Sequence, residues 1–242
     1  MEKENTNNVC LQSYEENDFN YAEAIKTLRT NIQFSGSNIK AVMFTSSVPD
    51  EGKSETSFQL AKSLAQLGRR VLFIDADIRK SVTVARYQLE KAVHGLSQYL
   101  SSQVTRDQVV YETNIPQMDM IFAGPYSPNP AELLEGDLFE MLMRWARMTY
   151  DYVIIDTPPM GNLIDGAVVS RLCDGAVIVI ESGRISYRLL QKVKNQLDAG
   201  GCRILGAVLN RVDVTQGIYY RHYGKYGDYE YISKERKNNK RK

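Results

Sequence analysis

Apolar and polar residues alternate in blocks along the chain, and the blocks predict strands and helices in turn. Six short runs are almost continuously apolar, as is typical of parallel strands buried on both faces; they are 41–45, 71–74, 118–122, 153–155, 176–180 and 204–209. Segments with helical spacing lie around and between them, at 19–34, 53–67, 95–111 in pieces, 131–149, 163–173 and 185–199. This alternation predicts an α/β fold, a doubly wound and mainly parallel sheet flanked by helices, in one domain.

A phosphate-binding loop is predicted between the first apolar run and the helix that follows it. Residues 46–54 read Ser-Ser-Val-Pro-Asp-Glu-Gly-Lys-Ser, and a Gly-Lys-Ser at a helix start directs backbone N–H groups at an anion. Lys53 would then reach the β- and γ-phosphates, and the Ser54 hydroxyl would bind Mg²⁺. The first glycine of the motif is replaced by Ser47. The alternative is an ordinary strand-to-helix turn with a surface lysine.

Acidic residues follow two further predicted strands. Asp75 and Asp77 come directly after the run 71–74, and Asp156 follows the run 153–155. Ligands of such sheets bind at the carboxyl ends of the strands, where an aspartate holds Mg²⁺ in phosphoryl-transfer proteins. Each aspartate alone could be a helix cap. Three of them together with the loop at 46–54 favour a metal–nucleotide site.

Composition narrows the class of protein only a little. The chain has 242 residues and a net charge of +1, so no strong overall field selects a partner. The three cysteines are scattered without a Cys-x-x-Cys pair, which argues against zinc and iron–sulfur sites. The N-terminus has no signal-peptide core and no apolar run has the length of a membrane span, so we expect a cytoplasmic protein.

The C-terminal region is rich in tyrosine and then in basic residues. Six tyrosines lie between 219 and 231, namely Tyr219, Tyr220, Tyr223, Tyr226, Tyr229 and Tyr231, with glycines between them. The segment has no apolar face and is predicted to be flexible. An aromatic tail beside basic residues could contact nucleic acid. The loop at 46–54 makes phosphorylation of these tyrosines the favoured interpretation.

The motifs together resemble the bacterial tyrosine kinases that regulate capsule and exopolysaccharide synthesis. The matching segments are the loop 47–54, the paired acids and arginine of 73–79, the Asp-Thr-Pro-Pro of 154–159, and the segments 129–134 and 209–213. The resemblance implies a P-loop NTPase fold of the ParA/MinD-like superfamily. It also implies a protein-tyrosine kinase that uses ATP and Mg²⁺, phosphorylates its own tyrosine cluster in trans, and regulates the synthesis and export of polysaccharide.

Roles for individual residues follow from the resemblance and from the expected geometry. Catalysis is assigned to Lys53, Asp77, Arg79 and Asp75, with Asp75 as the base that takes the proton of the incoming tyrosine. The nucleotide contacts are assigned to Ser47, Asp50, Glu51, Gly52, Lys53, Ser54, Glu55 and Asn210. Ser54, Asp77 and Asp156 are the expected Mg²⁺ ligands. For Arg79 the alternative is pairing with a nearby acid, and for Asn210 the alternative to an adenine contact is a turn that closes the strand.

Partners are likewise implied by the resemblance. A Glu-x-x-Arg-x-x-Arg helix docks neighbouring subunits into rings in that family, and here Glu23, Lys26 and Arg29 hold these positions, with lysine at the second. A membrane-embedded activator of the polysaccharide co-polymerase type would recruit the chain to the inner face of the plasma membrane, and a tyrosine phosphatase would act on the tail. No specific nucleic acid is expected. The predicted organisation is a flexible segment 1–18, a kinase domain 19–214 that begins with the docking helix 19–34, and a flexible tail 215–242.

Two other classes of protein remain as alternatives. One is a positioning ATPase of the ParA/MinD type, which binds a surface and releases it on hydrolysis without kinase activity. That class typically carries a signature lysine early in the loop, where this chain has Val48, and it needs no tyrosine-rich tail. The other alternative is a nucleotide-gated scaffold without enzymatic activity.

Overall fold

The fold is built on one eight-stranded sheet within the residues that the computed structural model describes, which are 7–12, 19–81, 83–89, 92–161 and 163–212. The strand order is β1-β4-β5-β3-β6-β2-β7-β8, and every neighbouring pair is parallel except β4 and β5. The strands are β1 Asn8–Val9, β2 Ala41–Ser46, β3 Val71–Asp75, β4 Tyr111–Thr113, β5 Met118–Ile121, β6 Tyr152–Asp156, β7 Gly175–Glu181 and β8 Ile204–Asn210. The predicted class, a mainly parallel doubly wound sheet, is confirmed.

Helices cover both faces of this sheet. They are α1 Phe19–Phe34, α2 Lys53–Ala65, α3 Thr83–Arg86, α4 Leu96–Leu100, α5 Pro130–Glu135, α6 Asp137–Thr149, α7 Asp165–Ser170 and α8 Tyr187–Ala199, with a short 3₁₀ turn at Arg106–Gln108. No helix of the described chain is both long enough and apolar enough to cross a membrane.

The central strands are continuously apolar because their successive side chains enter the two cores in turn. In β2, Ala41 and Met43 belong to the apolar core on one face of the sheet, while Val42 and Phe44 belong to the core on the other. All four are fully buried. Since successive side chains of a strand point to opposite faces, a strand covered on both sides needs an apolar residue at every position.

The predicted helix 131–149 is wrong in one respect, because the structure has two helices there. Gly136 ends α5 and precedes α6 with an extended backbone, at φ −73° and ψ 160°. Glycine has a low helix propensity, and here it separates two helices that the spacing of apolar residues alone would join.

The other differences lie at one edge of the sheet. The predicted helical pieces near 95–111 are α4 and the 3₁₀ turn, and then the chain forms β4, which pairs antiparallel with β5. β1 pairs with β4 and lies inside the segment 1–18 for which flexibility was predicted. The rest of that segment outside 7–12 lies beyond the described residues, as does the tail 215–242.

Candidate active site

The loop at 46–54 joins the end of β2 to the start of α2, as predicted. Gly52 immediately precedes α2 and has a left-handed backbone, with φ 87°. A Cβ atom at Gly52 would lie 2.0 Å from Nδ2 of Asn210, so the side chain of Asn210 fills the space that a larger residue would need. Because α2 begins shortly after the carboxyl end of β2, its N-terminus lies at the carboxyl edge of the sheet, where it can bind an anion.

Ser47 occupies the position of the missing glycine without strain, because its backbone φ is not positive. Its carbonyl oxygen accepts the N–H of Gly161 at 3.1 Å. The glycine that this contact requires is Gly161, since a Cβ there would come within 2.2 Å of the Ser47 oxygen. The left-handed non-glycine residue of the loop is Asp50, at φ 65°.

Lys53 and Asp156 form a buried ion pair between the loop and the end of β6. The Lys53 Nζ atom lies 3.0 Å from Oδ1 of Asp156 and 3.1 Å from the hydroxyl of Ser54. Only 9% of the Lys53 side chain and 2% of the Asp156 side chain are exposed. Three of the predicted site residues, Lys53, Ser54 and Asp156, are thus in contact at the carboxyl edge of the sheet, where they supply a cation, a hydroxyl and a carboxylate.

Asp75 and Asp156 occupy facing register positions at the ends of β3 and β6. Burial raises the pKa of Asp75 to about 7, with a further raising contribution from the charge of Asp156. Burial also raises the pKa of Asp156, although the neighbouring Lys53 opposes that change. When both carboxyl groups are ionised, the single lysine leaves an excess of negative charge that a metal cation would neutralise.

Hydrogen bonds fix the Asp75 carboxylate. Its Oδ2 atom accepts the hydroxyl of Ser81 at 2.5 Å, and its Oδ1 atom accepts the backbone N–H of Asp77 at 3.1 Å. Ser81 in turn accepts the N–H of Thr83 at 3.1 Å. Asp77 accepts the N–H of Lys80 at 3.0 Å, so it closes the turn that follows β3. Sequence reasoning missed Ser81 and Thr83, because no local pattern links them to a residue at the strand end.

Arg79 pairs with a buried acid, the second of the two interpretations given above. Its guanidinium donates two hydrogen bonds to Asp165 at the start of α7, with distances of 2.5 and 3.0 Å. The Asp165 side chain is fully buried, and the hydrogen bonds to it raise the pKa of Arg79. The pair joins the turn after β3 to α7, and sequence reasoning missed Asp165.

Glu51 and Asn210 connect the loop to the ends of β7 and β8. The Glu51 carboxylate accepts the N–H groups of Ser47, Val48 and Glu181, and its carbonyl oxygen accepts the side-chain amide of Asn210 at 3.0 Å. The predicted role of Asn210 was an adenine contact or the closing of the strand. In this structure its amide group donates to the backbone of the loop at 46–54.

The remaining predicted site residues lie away from this cluster or outside the described chain. Glu55 forms a partly exposed ion pair with Arg86 at 2.7 Å. On α1, Lys26 pairs with Glu23 at 2.6 Å, and Arg29 donates to the hydroxyl of Ser63 on α2 at 2.8 Å. The six tyrosines of 219–231 lie outside the described residues.

The donor set fits Mg²⁺ that is bound jointly with a nucleotide. In the described part of the chain, no three His, Cys, Asp or Glu side chains are grouped to hold a metal by themselves. Mg²⁺ does not need such a group, because it keeps several waters and takes one or two carboxylates together with phosphate oxygens. Asp156 and the Ser54 hydroxyl, both near Lys53, match that requirement.

Comparisons with known proteins define the class of this chain. A family profile described as an AAA domain matches residues 50–199. The fold also resembles the septum site-determining protein MinD of Pyrococcus horikoshii, solved with Mg-ADP, with a TM-score of 0.61 over 73% of this chain and 72% of that one. At 19% identity this likeness shows the fold alone. The chain thus has the fold of the P-loop NTPases, with the β2–α2 loop at the carboxyl edge of its sheet.

Closer relatives define the family. Tyrosine-protein kinase CpsD of Streptococcus agalactiae is 39% identical over 89% of this chain and 92% of its own length. Tyrosine-protein kinase YwqD of Bacillus subtilis is 38% identical over 84% of this chain and 86% of its own length. The kinase domain of Escherichia coli tyrosine kinase ETK has a TM-score of 0.74 at 34% identity, covering 81% of this chain and 79% of that one.

The chain therefore belongs to the bacterial tyrosine kinase family, and the predicted enzyme class, protein-tyrosine kinase, is confirmed. The family and the P-loop fold that the sequence motifs predicted are therefore also confirmed. The likeness to MinD extends only to the fold, so it does not favour the positioning ATPase over the kinase.

Proposed function

We propose that this chain transfers the γ-phosphoryl group of ATP to tyrosines of its own C-terminal cluster and thereby regulates the synthesis and export of a capsular or extracellular polysaccharide. The observation that supports this most directly is the convergence of Lys53, Ser54 and Asp156, with Asp75 in the facing register position. Phosphoryl transfer depends on positioning and on charge neutralisation, which Lys53 and an Mg²⁺ ion held by this cluster would supply together.

The phosphates of ATP would bind at the N-terminus of α2. The N–H groups of Gly52, Lys53 and Ser54 lie at that helix start, and the buried Lys53 ammonium group lies 3.1 Å from the Ser54 hydroxyl. Lys53 would exchange part of its contact with Asp156 for the β- and γ-phosphates. Mg²⁺ held by Ser54, Asp156 and Asp77 would supply charge neutralisation at the phosphate oxygens.

Asp75 is the proposed general base. The tyrosine oxygen attacks the γ-phosphorus, the bond from that phosphorus to the bridging oxygen breaks, and ADP leaves with the electron pair. The phenolic proton passes to the Asp75 carboxylate, which the Ser81 hydroxyl orients. A free tyrosine has a pKa of about 10, so the reaction needs an acceptor for this proton at neutral pH.

The acceptor tyrosines would come from a neighbouring copy in a ring-like oligomer, with Glu23, Lys26 and Arg29 of α1 at the contact. A membrane-embedded activator of the co-polymerase type would recruit the chain to the inner face of the plasma membrane. A tyrosine phosphatase would remove the phosphates from the tail. Each phosphate adds about −1.5 to −2 charges, which would offset the basic residues beyond Ser233.

Incubation with [γ-³²P]ATP followed by phosphoamino-acid analysis tests the proposal. We expect label on tyrosine, with Lys53→Met abolishing it and Lys194→Met, at an exposed helix position paired with Asp198, leaving it unchanged. The incubation is repeated with the cytoplasmic segment of an activator. Label that never reaches tyrosine in either condition, or full labelling of Lys53→Met, would overturn the proposal.

A further inference from the structure

Glu51 is a buried acid inside a loop that binds an anion. Only 1% of this residue is exposed. Its Oε2 atom accepts the N–H of Ser47 at 2.7 Å and the N–H of Val48 at 2.8 Å, and its Oε1 atom accepts the N–H of Glu181 at 3.1 Å. A buried carboxylate is unfavourable unless it is well hydrogen-bonded, and three backbone donors satisfy this one.

The backbone of Glu51 is held as firmly as its side chain. Its carbonyl oxygen accepts Nδ2 of Asn210, and that same amide fills the space beside Gly52. Glu181 is the last residue of β7 and Asn210 the last of β8. A single loop residue is thus tied to the start of its own loop and to the ends of two strands.

From these contacts we infer that Glu51 is a positioning residue that holds the phosphate-binding loop in its open, curved form before the nucleotide arrives. The N–H groups of Ser47 and Val48 both point at Oε2 of Glu51, and without an anion two such dipoles repel one another. The Glu51 carboxylate supplies this anion from within the loop. The N–H groups from Gly52 onward remain for the phosphates.

If Glu51 preorganises the loop, its replacement should lower the affinity for nucleotide. A loop that is already ordered loses less conformational entropy when it binds a ligand, so loss of the Glu51 contacts should weaken nucleotide binding. Simple Coulomb repulsion predicts the opposite, because removing a carboxylate beside the phosphates should strengthen their binding. The direction of the change therefore distinguishes the two effects.

Titration with a fluorescent ADP analogue and Mg²⁺ tests the inference in the full-length chain. Glu51→Gln leaves one oxygen for three donors and turns an NH₂ group toward an N–H, so we expect nucleotide affinity to fall about tenfold. Glu140→Gln, an exposed position on α6 that pairs with Arg144, controls for the change in net charge and should leave the affinity unchanged.

Two further measurements separate positioning from a general loss of structure. The KM for ATP in Glu51→Gln should rise about tenfold while kcat changes less than about threefold, because saturating nucleotide restores the loop. Hydrogen exchange in the nucleotide-free protein should quicken in the peptide that contains Ser47 and Val48, and remain unchanged in the core strand β3.

Glu51→Asp provides a second variant if the glutamine protein does not fold. It keeps the charge but is one methylene short of its three donors, so its affinity should fall between those of the wild type and Lys53→Met. An affinity equal to or tighter than the wild type in every folded variant of Glu51 would overturn the inference. The inference rests on nucleotide binding and not on tail phosphorylation, and a wild-type chain that binds no nucleotide would instead refute the site itself.

Discussion

Asp75 and Asp156 face each other across the adjacent parallel strands β3 and β6, and both carboxylates are buried. Only Lys53 forms an ion pair with either of them in the described part of the chain. Two buried carboxylates in facing register positions disfavour the folded state when both are ionised, and a bound cation would relieve this unfavourable interaction.

Replacement of the proposed base should therefore have opposite effects on activity and on stability. We expect Asp75→Asn to lower tyrosine phosphorylation at least about 100-fold, because the proton acceptor is lost. The free energy of unfolding of the nucleotide-free protein should rise by about 1 kcal/mol, because the repulsion with Asp156 is removed. Rate assays and urea unfolding measure the two effects. Asp107→Asn, at an exposed position, is the control, and a destabilised Asp75→Asn protein with normal activity would contradict both expectations.

The ion pair of Arg79 and Asp165 should contribute mainly to stability. Arg79→Met leaves a fully buried carboxylate without its partner, which should cost about 3 kcal/mol of unfolding free energy. The double variant Arg79→Met, Asp165→Asn should recover more than about 1 kcal/mol of that loss. Chemical denaturation of the four proteins of the cycle measures the coupling. Normal stability in Arg79→Met, together with a large fall in kcat, would instead indicate that Arg79 acts on the phosphates.

Sequence reasoning succeeded where the chemistry is local. The loop residues Lys53 and Ser54 are adjacent in the chain, and Asp75 and Asp156 each follow an apolar strand directly, so their position at one edge of the sheet could be predicted. Asp165 could not be predicted as the partner of Arg79, because 86 residues separate them. The bond of Glu51 to Glu181 spans 130 residues and depends on the order of the strands.

The short edge strands were missed for a different reason. β1 has two residues and β4 has three, which is too few to show an alternating pattern. Their pairing depends on β5, so only the assembled sheet defines them.

The left-handed backbone of Asp50 predicts a stabilising substitution. Asp50→Gly removes an unfavourable contact between Cβ and the backbone, which should raise the free energy of unfolding by about 1 kcal/mol. Ser102→Gly makes the same change at φ 58°, far from the loop in sequence, and serves as the matched comparison. Both should shift the denaturation midpoint upward. A lower midpoint in Asp50→Gly alone would show that its side chain has a favourable contact in the loop.

The lowered pKa of Asp174 should make the stability of the fold depend on pH. Burial alone would raise the pKa of Asp174, but hydrogen bonds from Arg147 and from the N–H groups of Ala41 and Lys40 outweigh burial and lower the pKa. A lowered pKa stabilises the fold at pH values above the pKa of the unfolded state, about 3.9, and this contribution disappears as the pH falls through the pKa of the folded state.

Asp174→Asn should accordingly lower the free energy of unfolding by about 1 to 2 kcal/mol at pH 7. The difference from the wild type should shrink below about pH 4, where the wild-type carboxyl is protonated as well. Asp198→Asn, at an exposed position paired with Lys194, should change stability little at either pH. Unfolding followed by circular dichroism across this range measures both variants, and a difference that does not vary with pH would exclude the ionised form as the source.

Assembly of subunits through α1 gives the last prediction. Lys26 is half-exposed and forms an ion pair with Glu23 on its own helix, while Arg29 donates a hydrogen bond to Ser63. Both cations therefore have a partner within the subunit. Arginine at position 26 would add a planar group that can bind a carboxylate of a neighbouring subunit through two hydrogen bonds. We therefore expect Lys26→Arg to shift sedimentation velocity profiles toward larger species at equal protein concentration, and Lys194→Arg to leave them unchanged.

Phosphorylation of the tail should dissociate these species, since the added negative charge repels acidic surfaces. Identical profiles before and after phosphatase treatment would contradict the role of the tail, and identical profiles for the wild type and Lys26→Arg would contradict the role of α1.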